Sequence, residues 1–227
     1  MAATPNALFI ATEEWRNAFP GAVAGALAMR GVRNPERDDA LEAAKRRLEE
    51  HLRTGERDAD TEPILRAYVD YYRERGKTYH VKAQRESVAR KGKSIPTRAA
   101  LVEAMFMAEL ANLILTAGHD LDALATPVRV DATAAGDRYE LLGGKEAVLD
   151  AGDMMMADGT GIVSSVLRGP DRRTPITPAS RNVMFAVYAP AGIGEPVVRT
   201  HLEQIRANVE LLAPDAETVA IVTHVAR

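Results

Sequence analysis

The chain has 227 residues, 46% apolar and 27% charged, with a formal net charge of −3 and no cysteine. A chain this long can bury about 70% of the surface its unfolded form exposes, so a sizeable core is expected. No uncharged apolar run approaches the roughly 18 residues of a membrane span, and the lack of cysteine excludes disulfides, a thiol nucleophile and thiolate metal ligands.

Met1 to Pro5 has neither the basic residues nor the apolar stretch of a secretory signal, so a cytoplasmic location is expected. Near the N-terminus, Gly21 to Met29 reads as a tightly packed strand interrupted by glycine, although its alanine content also suits a helix. Asn34 followed by Pro35 and by Glu36, Asp38 and Asp39 is a helix start, because a side-chain oxygen can accept the free amides while acids favour the positive end of the dipole. Leu41, Ala44, Leu48 and Leu52 then recur at helical spacing, which predicts a surface helix from about Glu36 to Arg53 with Gly55 as its stop. A second helix is expected with Thr61 as cap, Ile64, Leu65, Tyr68 and Tyr72 on one face and Gly76 as terminator.

From Tyr71 to Arg98 the charge is lopsided. Arg73, Arg75, Lys77, Lys82, Arg85, Arg90, Lys91, Lys93 and Arg98 face only Glu74 and Glu86. A third helix is predicted from about Arg98 to Thr116; Leu101, Met105, Leu110 and Leu113, joined by Phe106, Met107 and Ile114, make it apolar on so many sides that it should be buried. Beyond Gly118 short apolar stretches alternate with glycine, proline and aspartate, and five strands are expected at Val128 to Val130, Arg138 to Leu142, Met154 to Met156, Gly161 to Leu167 and Val183 to Tyr188. Glu195 to Leu212 carries Val198, Leu202, Ile205 and Val209 at helical intervals, and Val219 to Val222 can return as a last strand.

With no linker between the halves, the expected architecture is α+β, with helices packed on a mixed β-sheet. It forms one lobe over 1–227, with a helical lead-in to about 116 and a sheet-rich part from about 117.

Val102-Glu103, then Ala117-Gly118-His119-Asp120-Leu121-Asp122-Ala123-Leu124, Ala135-Gly136-Asp137, Leu142-Gly143-Gly144, Asp150 to Asp158, and Thr174 to Val183 form an ordered series. That series resembles the editing domain of the phenylalanyl-tRNA synthetase beta subunit and its free-standing relatives. The lead-in, Ala67 to Tyr72 and Arg90 to Pro96, is similar to free-standing members. The resemblance implies a trans-acting deacylase that hydrolyses the ester of a mischarged aminoacyl-tRNA, with tRNA as partner and neither metal nor cofactor. By spacing, the synthetase's histidine falls at Ala117, its asparagine near Met105 and its amino-acid-sensing glutamate close to Arg172. These departures leave a non-catalytic module for tRNA or a small ligand, or a hydrolase for another small ester or amide, as alternatives.

Within this frame His119 and Asp120 are candidate catalytic residues, an imidazole and a carboxylate at a pocket mouth; the alternative is a helix-terminating loop capped by Asp120 or Asp122. Asp158 is a third candidate, or an ordinary turn aspartate before Gly159-Thr160-Gly161. Ser164, Arg168, Thr177 and Ser180 are candidate substrate-binding residues by their place in the resemblance, with Ser165 beside them. Lys82, Arg85, Arg90, Lys91, Lys93 and Arg98 are candidate contacts to a tRNA backbone, with Tyr79 and His80 as stacking partners for a base; solvated charge is the plainer reading. Met154 to Met156 read as strand core. No Gly-x-Ser-x-Gly elbow occurs, and the five histidines are too scattered along the chain to nominate a serine triad.

Overall fold

The computed structural model describes residues 8–55 and 61–227, so the reading of Met1 to Pro5 lies outside the described residues. In chain order the elements are β1 (Phe9–Ala11), α1 (Glu13–Ala18), β2 (Val23–Arg30), α2 (Asp39–Thr54), α3 (Thr61–Glu74), α4 (His80–Ala89) and α5 (Ala100–Asn112). Then follow β3 (Thr116–Asp120), a single 3-10 turn (Leu121–Ala123), β4 (Val128–Ala132), β5 (Arg138–Glu140), β6 (Glu146–Val148) and β7 (Met154–Ala157). The chain closes with β8 (Ile162–Ser165), β9 (Gly169–Pro170), β10 (Asn182–Ala189), α6 (Glu195–Leu212) and β11 (Glu217–Val225). The class is α+β, as expected from a helical first half joined without a linker to a strand-rich second half. No described helix is long and apolar enough to cross a membrane.

The strands form two main sheets. One has the order β11-β2-β10-β3 and is antiparallel throughout; the other, β1-β4-β7-β8-β9, is mixed only through the parallel pair β1 and β4. A separate hairpin joins β5 to β6. Strands β2 and β10 lie at the centre of the first sheet, and all of their residues from Val23 to Met29 and from Val183 to Ala189 except Gly25 are hydrophobic and buried. The stretch expected from Gly21 to Met29 is thus strand and not helix, but the strand begins only at Val23 and runs to Arg30. Gly25 is required by packing: a Cβ there would lie 2.8 Å from Val198 and 3.0 Å from Leu202 of α6.

Two helix boundaries differ from expectation for local reasons. The cap of α2 is Asp38, whose Oδ1 accepts from Ala40 and Leu41 N–H at 3.0 and 3.2 Å; Asn34 instead accepts from Leu101 N–H at 2.9 Å and donates to Thr177 O at 3.0 Å. Asn34 therefore caps α5, not α2. Helix α5 stops at Asn112 because Leu113 takes a left-handed conformation, φ 56°, and the residues expected to finish the helix enter β3. His119 and Asp120 accordingly sit on a strand, and no helix-terminating loop exists there. The basic segment is partly helical as α4, which the charge pattern had obscured.

Buried polar groups tie the layers together. From α3, Tyr68 donates to Tyr188 O at 2.6 Å, Tyr71 to Asp153 Oδ1 at 2.6 Å and Tyr72 to Val166 O at 2.8 Å. Tyr79 stacks on Tyr68 with centroids 4.6 Å apart and donates to Leu113 O at 2.9 Å. At 1% exposure it is a core residue and cannot stack on a base. Lys45, buried on α2, bridges Glu42 at 2.5 Å and Glu103 of α5 at 2.8 Å, and also donates to Pro96 O and Thr97, so the end of the basic segment is clamped to both helices.

Candidate active site

A cavity of about 310 Å3 opens where β8 of one sheet approaches β3 and β10 of the other. Its walls are Glu109 near the end of α5, Leu115, Thr116 and Ala117 running into β3, Tyr188 of β10, and the chain from Ser164 to Pro170; His80, the first residue of α4, stands at its rim. The site is thus built from segments remote in sequence that the two sheets bring together.

Glu109 is the unexpected member. It is only 6% exposed, and its Oε1 accepts from Thr116 N–H at 2.7 Å, while Oε2 makes no hydrogen bond to a described residue and is not sealed off from solvent-sized space. No cation compensates it among the described residues. Burial pushes its carboxyl up to about 8, with the single amide bond pulling weakly the other way. Near neutral pH Glu109 therefore carries a proton and can donate from Oε2 into the cavity or take part in proton transfer.

Behind Thr116 lies a second polar group. His201 of α6 places Nε2 2.7 Å from Thr116 Oγ1 and Nδ1 3.1 Å from the Asn112 amide nitrogen, and burial depresses its imidazole to about 3. It is neutral and holds the strand entry in position.

On the opposite wall the donors and acceptors can be assigned by elimination. Thr174 Oγ1 donates to Asp171 Oδ1, so its one proton is spent, and His119 Nδ1 at 2.7 Å must be the donor to Thr174. Nε2 of His119 is then an acceptor, and it faces Ser164 Oγ at 3.5 Å. Ser164 Oγ also makes a very short contact with Tyr188 OH; if Ser164 is turned towards His119, Tyr188 donates to Ser164. One consistent chain results, Tyr188 to Ser164 to His119 to Thr174 to Asp171. Burial lowers the His119 imidazole to about 4, so it is neutral, and burial raises the Tyr188 hydroxyl, which stays protonated. Thr174 is held for this role because Asp120 N–H donates to Thr174 O at 2.9 Å and Thr174 N–H to Asp171 Oδ1 at 3.1 Å.

The sequence candidates divide cleanly. Ser164 and Arg168 line the cavity, and His119 stands behind Ser164; Arg168 is exposed and makes no hydrogen bond or ion pair to a described residue. Asp120, Asp158, Thr177 and Ser180 do not line it. Asp120 accepts from Asp122 N–H at 3.0 Å and from Ser180 Oγ, and Ser180 Oγ accepts from Thr177 N–H, so these three organise one turn. Asp158 accepts from Ala125, Thr160 and Gly161 N–H and pairs with Arg173 at 2.9 Å. Burial raises its carboxyl, but those amides and the guanidinium outweigh burial and hold it below its ordinary value. Among the described residues no three His, Asp or Glu side chains gather as they would around a metal ion.

Of the basic candidates, Lys82, Arg90, Lys91, Lys93 and Arg98 are exposed, whereas Arg85 is half-buried and donates to Ala111 O at 3.1 Å. Arg75, on the same stretch, is committed to the fold, lying 3.7 Å over the Tyr71 ring and donating to Gly152 O.

No protein-family model and no curated protein matches the sequence. Among solved structures the chain is similar to an N-terminal fragment of the phenylalanyl-tRNA synthetase beta subunit from Pyrococcus horikoshii, with a TM-score of 0.50 and 11% identity over 93% of this chain. What the two share is fold. This chain spans 50% of that fragment's length. Glu109 was missed because an acid inside an apolar helix was read with its helix; a carboxylate among Met107, Ala108 and Leu110 with no nearby cation was the signal that could have found it.

Proposed function

We propose that this chain is a trans-acting aminoacyl-tRNA deacylase, hydrolysing the ester between a wrong amino acid and the terminal ribose of tRNA. The observation that carries this reading is the cavity itself, which brings together a protonated carboxyl, Glu109, and the buried hydroxyls of Ser164 and Tyr188. Its volume suits one aminoacyl group and not a whole nucleotide as well. Those groups supply donors for a developing oxyanion. The likeness in fold to a synthetase fragment and the exposed cations support tRNA as the carrier of the ester. His80 begins α4 at the cavity, and exposed cations follow it in the chain, Lys82 on that helix of about 15 Å and Arg90, Lys91 and Lys93 just after its end. A charged acceptor end can follow that segment while its amino acid enters the cavity.

The test is release of labelled amino acid from a panel of correctly and incorrectly charged tRNAs by the purified chain. Selective release that Glu109→Gln slows supports the proposal, and no release from any member removes it. A second reading is a module of the same fold that binds tRNA or a small ligand without turnover. It is favoured by Arg172, exposed and paired with Glu140 at 2.6 Å, which stands close to where the resemblance places a glutamate that senses the amino acid. Saturable, salt-sensitive tRNA binding with no amino acid release would establish it.

A further inference from the structure

The geometry points to Ser164 as a covalent nucleophile, with His119 Nε2 as its base and Thr174 and Asp171 as residues that position the imidazole. This rests on the ester-hydrolysis reading above. The argument starts from the direction of the hydrogen-bond chain. His119 is only 1% exposed, so its tautomer is set by protein partners alone, and the spent proton of Thr174 leaves Nδ1–H as the one consistent choice. An imidazole fixed in that tautomer offers an unprotonated Nε2 to the nearest hydroxyl, which is Ser164 Oγ. This is the orientation a serine nucleophile needs, with a threonine inserted between histidine and aspartate.

Three further observations bear on the role. Ser164 and Tyr188 belong to the lining of the cavity while His119, Thr174 and Asp171 do not, and since Ser164 at 0% and Tyr188 at 1% exposure are as buried as His119, an ester must displace the wall to reach the hydroxyl. The 3.5 Å separation is longer than a working hydrogen bond, as is common before substrate tightens a site. Tyr188 OH touches Ser164 Oγ and is placed to donate to an oxygen that becomes negative when Ser164 bonds to a carbonyl carbon.

The step balances as follows. Ser164 Oγ attacks the ester carbonyl carbon and its proton passes to His119 Nε2. The bond from that carbon to the ribose oxygen breaks, and the ribose oxygen takes the proton from Nε2, leaving the aminoacyl group on Ser164. Water then attacks the acyl carbon and gives a proton to Nε2. Ser164 Oγ departs with that proton and the free amino acid is released, so ester and water become acid and alcohol.

Two measurements test this. The intact chain is treated with a biotinylated alkyl fluorophosphonate, which transfers its phosphonyl group to an activated serine with loss of fluoride, and the modified peptide is mapped by mass spectrometry. Labelling at Ser164 is expected, slowed at least tenfold by Thr174→Val and restored by Thr174→Ser, which keeps the hydroxyl; no label at Ser164 overturns the proposal. The second measurement is acid-quenched single turnover on whichever charged tRNA the chain deacylates, with an aminoacyl mass increment expected on Ser164 and a loss of turnover of about a thousandfold in Ser164→Ala. Deacylation at an undiminished rate by folded Ser164→Ala sinks the nucleophile and leaves the deacylase reading standing. Labelling at Ser164 with no deacylation of any tRNA does the reverse, upholding the nucleophile and removing tRNA as its substrate.

Discussion

Glu109→Gln isolates the buried carboxyl, because glutamine keeps the shape, can still accept from Thr116 N–H and cannot ionise. In the folded chain the carboxyl titrates at about 8, and in the unfolded chain at its ordinary 4.5. Between those values the folded state holds a proton that the unfolded state has released. The contribution of Glu109 to the stability of the wild type therefore falls with rising pH at about 1.4 kcal/mol per pH unit across that window, and levels off above it. The whole contribution is about 5 kcal/mol, of which roughly two thirds has been lost by pH 7. Other titrating groups are common to both proteins and cancel in the difference. Urea unfolding followed by circular dichroism at half-unit steps from pH 4.5 to 9 should show the variant gaining on the wild type up to about pH 8 and then running parallel to it. A difference that stays within about 1 kcal/mol over the range would refute the argument, for it would mean that Glu109 is ionised and hydrated in the fold.

The histidines act in the opposite direction. With folded values near 4 for His119 and 3 for His201, both below the ordinary 6.5, the stability they permit is present above pH 6.5 and is lost as pH falls towards those values, so unfolding should begin in mild acid and shift to lower pH in His201→Gln. Lys45→Ala leaves Glu42 and Glu103 buried without their cation and should cost about 3 to 5 kcal/mol in the same urea assay, whereas Lys45→Ala with Glu42→Gln and Glu103→Gln recovers part of it. Gly25→Ala drives a methyl into Val198 and Leu202 and should cost about 1 to 3 kcal/mol, read as a lower thermal midpoint. Replacing Lys82, Lys91 and Lys93 by glutamate should weaken tRNA binding and flatten its salt dependence without changing the thermal midpoint; equal binding would move the RNA face elsewhere.

How legible the molecule is in its sequence depends on whether a signal is local. Helix α6 is read at its observed bounds because an apolar face at regular intervals and Pro196 in its first turn are local facts. Strand β10 extends only one residue beyond its predicted run at each end. By contrast α4 buries only Val81 and Val88, too few to show a period through the surrounding charge. Strand β3 was hidden because apolar residues continue across the boundary at Leu113, where a non-glycine residue in the left-handed region gives no compositional warning. Two sheets rather than one follow from pairings between distant segments, which no local pattern encodes.

The site shows the same division more sharply. His119 lies 45 residues from Ser164 and 55 from Thr174, so a scan for clustered histidine, serine and aspartate passes over it; the hairpins and the β3–β10 pairing close those gaps. The side-chain period of a strand explains how this arrangement relates to the resemblance. Ala117 and His119 are two residues apart on β3, so they share a face, and the imidazole stands one strand repeat beyond the position the resemblance assigns to a histidine. Gly118 between them lets the other face close, since a Cβ there would lie 2.9 Å from Ile176. Ala117 and Glu109 both line the cavity, whereas His119 does not and lies behind Ser164. A histidine that touches substrate can work by orienting water; one placed behind a serine can act only through that serine's hydroxyl. If the chain turns over an ester, the place of His119 behind Ser164 therefore favours a chemistry routed through Ser164 over one that relies on an imidazole in the cavity wall.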